Sequence, residues 1–207
     1  MNTLKLAGIS HLAGGDYENV QVEGIANIDG TINCAGMRIE GVSNINGNLN
    51  CEDLTIEGTC KIKGKIKSLK CHLSGLLTAE GLDAEAFDGS GSFQIEGGIN
   101  AEKVDVRFVY GSAAEEVCGE QIRINKEDQN GAVEFVLDLI PWRHKGKSFR
   151  CNLIEGDQIN ISHTDAAVVR GRCVTIGPEC QVELAEYHEE IEIHPKARVS
   201  KTVKLGG

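Results

Sequence analysis

The tripeptide Ile-Glu-Gly stands at residues 39–41 and again at 56–58, and Val-Glu-Gly stands at 22–24, seventeen residues apart each time. A unit that short cannot enclose a core of its own. Repeated at a fixed period, it buries its apolar face only by stacking on its neighbours, so the period dictates a solenoid. Within each period the apolar and Gly positions alternate strictly. They run Val20, Val22, Gly24, Ala26, Ile28, Gly30, Ile32, then Met37, Ile39, Gly41, Ser43, Ile45, Gly47, Leu49, then Leu54, Ile56, Gly58, Cys60, Ile62, Gly64, Ile66. Alternation of period two is the signature of strands with one buried face, and helical spacing fits nowhere in this stretch.

Each block divides into pieces of six, six and five residues, as in I-E-G-V-S-N, I-N-G-N-L-N, C-E-D-L-T. Two Gly columns, 24, 41, 58, 75 and 30, 47, 64, 81, mark corners between short strands, where torsional freedom is useful. Three strands and three corners per coil describe an all-β fold, a parallel β-helix of about 17 residues per coil. Ile28, Ile45 and Ile62 should form one internal ladder. With aromatics at 4%, the core is expected to be built from Ile, Val, Leu, Ala and Cys.

The rhythm loses one residue between Gly81 and Phe87, continues through Phe93, Ile95, Gly97, Ile99, Val104 and Val106, and closes a run at Ile122 and Ile124. It breaks over 125–149, resumes near Ile159 and Ile161, and is plain again in I-G-P-E-C-Q-V (176–182) against I-H-P-K-A-R-V (193–199). Pro178 and Pro195 fall at one corner, where a missing N–H costs no ladder bond. The expected organisation is N-terminal β-helical coils over 1–124, an insertion over 125–149, and C-terminal coils over 150–207. The two coil regions form either one continuous rod or two abutting halves.

A formal charge of −10 supplies no positive field for phosphates, which excludes a general nucleic-acid binder. No N-terminal stretch has a signal-peptide layout, and no apolar run approaches the 18 or so residues of a membrane span. A soluble cytoplasmic chain is the expectation, with membrane association left to surface contacts. The eight cysteines include no C-x-x-C pair. Cys34 and Cys51, one repeat apart, read as small buried hydrophobes in a stack.

The N-terminal L-K-L-A-G (4–8) and G-G-D-Y-E-N-V (14–20), the Gly-punctuated coils, and V-V-R-G-R-C-V-T-I-G-P-E-C-Q-V-E-L-A-E-Y (168–187) resemble the bactofilins, in particular the longer two-part members from spore-forming bacteria. The likeness extends over most of 4–205. It implies a right-handed β-helix and a non-enzymatic cytoskeletal protein. Such a protein polymerises end to end without nucleotide, takes itself as partner, and serves cell shape, motility or cell-wall work, often at the membrane.

The competing reading is a β-helical enzyme or ligand-binding module. Hexapeptide-repeat acyltransferases and the related carbonic anhydrases also stack short strands, and I-D-G-T-I-N resembles their hexads. Their prisms take eighteen residues per coil, whereas the third side here repeatedly has five. Their chemistry needs His as a base or as three metal ligands, and His11, His72, His144, His163, His188 and His194 show no paired spacing. No catalytic, cofactor-binding or metal-ligating residue is therefore assigned.

The candidate sites are assembly surfaces. Leu4, Leu6, Val203 and Leu205 continue the alternation to either end and are the expected polymer interface. Lys61, Lys63, Lys65 and Lys67 point outward. They read as a solvated face that discourages lateral strand pairing, rather than as a site for anionic lipid or wall polymer. Trp142 with Arg143, His144, Lys145 and Lys147 is the candidate contact for a membrane surface or cell-wall machinery.

Overall fold

The computed structural model describes residues 3–127 and 148–206. They form one parallel β-solenoid of about 11 turns. Its strands are β1 (Thr3–Leu6), β2 (Ile9–Asp16), β3 (Asn19–Val22), β4 (Ile25–Ile39), β5 (Val42–Asn46), β6 (Leu49–Ile56), β7 (Thr59–Ile62) and β8 (Lys65–Lys67). They continue with β9 (Lys70–Leu73), β10 (Leu76–Ala79), β11 (Gly81–Phe108), β12 (Ala113–Lys126), β13 (Phe149–Ile161), β14 (Thr164–Ile176), β15 (Gln181–Ile193) and β16 (Arg198–Lys204). Every pairing is parallel and joins one coil to the next. Ile28 faces Ile45 and Ile45 faces Ile62, the expected ladder.

The inward residues form a single core along the rod axis. Its aliphatic composition is as expected except at mid-rod. There Phe87, Phe93, Phe108 and Phe149 are fully buried and pack on one another at centroid separations of 5.5 to 6.4 Å. Four of the five phenylalanines are thus core residues, against the expectation of a nearly aromatic-free interior. The space for them comes from small residues in the same columns. Ser112 sits between Phe93 and Phe149 in the stack, with its Oγ accepting from Phe93 N–H at 3.1 Å and donating to the Tyr110 carbonyl at 3.2 Å.

The first Gly column holds for a different reason from the one expected. Gly24, Gly41, Gly58 and Gly75 do not have positive φ. Instead, a Cβ on each would lie far inside van der Waals distance of the carbonyl oxygen of the glycine one coil below, from Gly8 up to Gly58. The corner brings backbone directly onto backbone and leaves no volume for a side chain. Torsional freedom is required in the second column at Gly30, whose φ is +108°.

That second column ends at Gly64. Gly81 pairs with Lys65, and it is Glu80 that bonds back to Gly64. The residue is therefore lost before Gly81, not after it, and Gly81 is a buried strand residue.

The solenoid does not close at Ile124. Ile122 pairs with Ile159 and Ile124 with Ile161, so β12 and β13 are adjacent coils of one sheet. Asn125 and Lys126 belong to β12 and Phe149 begins β13, which narrows the interruption expected over 125–149. Phe149 re-enters the ladder through its N–H to His163 O, and Arg150 through its N–H to Ser112 O. The interruption leaves from the corner that carries the first Gly column lower down. Higher up, the same corner is the turn at Pro178 and at Pro195.

Two outcomes test this packing. Gly58→Ala should lower stability by about 2–3 kcal/mol, the usual cost of forcing volume into a filled site. Gly98→Ala, whose new Cβ would meet nothing closer than 3.9 Å, should be near neutral; urea midpoints distinguish the two. Because β12 and β13 pair directly, replacing 128–147 by a short Gly-Ser turn should preserve the far-UV β-sheet signal. Loss of that signal would mean that the replaced residues are needed for folding.

Candidate functional site

Among the described residues, the terminal coils differ from all others in having one unpaired edge. At the N-terminal end β1 pairs only with β3, and β2 only with β4. Leu4 and Leu12 are half-buried against the core, while Leu6 is covered at 8% exposure. At the C-terminal end β16 lies over Gln181–Tyr187 of β15 and leaves Glu190–Ile193 with no described strand above it. Ile191 is therefore half-buried and Ile193 is 41% exposed.

The expected interface residues sit at different depths. Leu4 lies at the mouth of the N-terminal coil, and Leu6 is already core. Val203 stands over Glu186, on the outer face. Inward residues of this half fall three apart at one corner (Cys151 and Ile154, Ala166 and Val169, Val182 and Ala185), which shifts the parity of the alternation. By register Val199 and Thr202 stand over Val182 and Ala185 of that column, and on this last coil Thr202 is exposed while Val199 and Val203 are half-buried. Leu205 is half-buried, its N–H bonded to Tyr187 O. The residues missed by sequence reading are Leu12, Ile191, Ile193 and Val199. Ile191 and Ile193 do alternate, so their signal was present; that the last strand stops short of covering them was not.

Outward columns balance their own charge. Arg38 donates from Nε to Glu40 and from Nη2 to Glu57, both at 2.7 Å. Arg170 donates from Nε to Glu186 at 2.7 Å and from Nη1 to Glu155 at 3.3 Å. Asn50 donates to Asn33 and Asn33 to Asp16, so amides stack one per coil. Lys61, Lys63, Lys65 and Lys67 all point to solvent, as expected, and make no ion pair among the described residues. Trp142, Arg143, His144, Lys145 and Lys147 lie outside the described residues.

Histidine chemistry is dispersed. His72 contacts Asp88 on the outer face, His194 Nδ1 accepts the Lys196 N–H at 3.1 Å, and His11 is exposed. A trough of about 810 Å³ runs beside Gly119, Gly156 and Gly171, with Arg170, Arg172, Glu155 and His188 on its walls. Its half-exposed thiol, Cys118, is pushed up by burial and by Glu116 and Glu155, the opposite of an activated nucleophile. Among the described residues no group of three His, Cys, Asp or Glu could hold a metal ion. No described helix is long and apolar enough to cross a membrane.

Cys34 and Cys51 are in register, as expected, but only Cys51 is buried. A hydrogen bond with Cys51 holds the half-exposed Cys34 thiol below its ordinary range, while that same contact and burial push Cys51 up. Burial alone pushes Cys60 up to about 12, and chiefly burial does the same for Cys151.

No family model matches the chain, and no solved structure matches it. It is similar to two uncharacterized proteins of Bacillus subtilis (strain 168). It is 34% identical to YhbE over 113 residues, which are 54% of this chain and 45% of YhbE. It is 41% identical to YhbF over 63 residues, which are 30% of this chain and 26% of YhbF. The matches thus span less than half the length of either relative.

The thiol environments predict an order of reactivity. Iodoacetamide at neutral pH should label Cys34 first and leave Cys51, Cys60, Cys71, Cys151 and Cys180 unmodified until denaturant is added. Peptide mass mapping checks this. Early labelling of Cys60 or Cys71 would contradict the described core.

Proposed function

We propose that this rod is the subunit of a nucleotide-independent, bactofilin-like filament, a non-enzymatic scaffold that extends end to end in the cytoplasm and serves cell shape, motility or cell-wall organisation. The observation that supports it most is the pair of unpaired edges above apolar side chains, Leu4 and Leu12 at one end and Ile191 and Ile193 at the other. An edge of free N–H and C=O groups templates another strand, and the apolar mouth beside it gains by being covered. Burying two such side chains at each end contributes about 3–6 kcal/mol before association costs. In this reading the basic residues 143–147 beside Trp142 supply the contact with an anionic membrane or a wall-associated partner.

Purified residues 1–207, without nucleotide and treated with apyrase, should give filaments by negative stain and a fast-sedimenting fraction. Leu4→Lys and Ile193→Lys should each keep the wild-type circular dichroism spectrum while shortening the assemblies to monomers or single end-joined pairs. Wild-type filament length in the double variant would show that assembly does not run through these ends.

A further inference from the structure

Three of the five large hydrophobic residues most exposed in the described rod stand in a single column. Ile9 pairs with Ile25, Ile25 with Val42, Val42 with Thr59, and Thr59 with Leu76. Ile9 is 76%, Ile25 43% and Val42 39% exposed, and Thr59 and Leu76 are half-buried. Isolated surface apolar groups are ordinary, but four of them, with Thr59 between Val42 and Leu76, in register over five successive coils make a ridge about 20 Å long at the usual strand spacing. Each member follows the glycine of the first column, where the corner presents it outward.

The flanks of the ridge differ from each other. Two residues before it runs a carboxylate column, Glu23, Glu40 and Glu57, which holds three carboxylates against the two cations paired with it, Lys5 on Glu23 and Arg38 on Glu40 and Glu57; two residues after it run His11, Asn27, Asn44 and Lys61. The carboxylates argue against a lipid surface, which would bring them against anionic headgroups. They fit a second copy in one orientation. A two-fold axis parallel to the rods sets ridge on ridge and places each carboxylate column opposite the partner's amide and lysine column, with Glu57 facing the partner's Lys61. Antiparallel rods would set glutamate against glutamate, a costly like-charge contact.

We propose that two copies of this chain pair side by side, parallel, through the Ile9–Ile25–Val42–Thr59–Leu76 ridge. A strip this narrow covers well under the roughly 800 Å² per partner of a standard stable interface. Single rods therefore pair weakly. The axis lies along the rod, so pairing leaves both ends open, and rods joined end to end add their ridges together and pair strongly. The strengthening rests on the end-to-end reading; the pairing itself does not.

The test uses residues 1–207 in the Leu4→Lys/Ile193→Lys background, where end contacts are removed. Sedimentation equilibrium at increasing concentration should show a monomer–dimer equilibrium. Adding Ile25→Lys/Val42→Lys should weaken the dimer about tenfold or more. Ile9→Lys, at the most exposed ridge position, should weaken it as well, which guards against misfolding of the double variant. Lys61→Glu should also weaken pairing.

In filaments of otherwise wild-type chains, the ridge variants should halve the width without shortening the length. If filaments never form, the dimer and its loss in the ridge variants still decide the pairing. A dimer indifferent to all ridge variants and to Lys61→Glu, or no dimer at any concentration, would overturn the proposal. So would ridge-dependent co-sedimentation with phosphatidylglycerol vesicles.

Discussion

The backbone ladder between coils is the constraint on which the rest of the molecule depends. Parallel strands pair at about 4.8 Å, so each side chain has its counterpart in the neighbouring coil directly above and below it. Whatever type a position holds must be compatible with its own repetition at that spacing. Isoleucines satisfy this by packing on isoleucines, as Ile28, Ile45 and Ile62 do. Asparagines satisfy it by donating to one another up the column. A column of like charges would not, and Arg38 and Arg170 are each set between two carboxylates. The glycine column is the limiting case, since there the ladder geometry places a carbonyl oxygen where a Cβ would stand.

Departures from the repeat are absorbed where the ladder is least disturbed. The corner of the first glycine column takes the tight backbone approach low in the rod, the turns at Pro178 and Pro195 high in it, and the long interruption between. A corner tolerates all three because its N–H and C=O groups are not all committed to the ladder. The core answers locally: where the coil length changes, aromatic rings fill the interior and Ser112 and Thr164 occupy the positions that stack with Phe149.

The same ladder decides what kind of surface is available for function. Among the described residues, internal coils have both edges satisfied, so unpaired strand edges occur only on the two terminal coils, while outward side chains recur in columns along the rod. Cys118 is held protonated by burial and nearby carboxylates, and the lowered Cys34 faces another thiol rather than a base.

Period, strand alternation and parallel stacking were legible in the residues, because a seventeen-residue interval with one apolar face has no other way to bury that face. The inward identity of Ile28, Ile45 and Ile62, the outward lysines of 61–67 and the corner prolines followed from counting alone. Other features depend on how coils sit on one another in space. The local string Ile-Glu-Gly does not reveal that its glycine is demanded by a carbonyl seventeen residues earlier rather than by its own torsions. Nor does alternation near Val203 reveal that a three-residue corner has reversed its phase. The shift of Gly81 into a strand, the direct pairing of β12 with β13, and the uncovered Ile191 and Ile193 are likewise consequences of inter-coil register. Register is set by the sum of corner lengths around each turn, a quantity that no single repeat contains and only the assembled solenoid fixes.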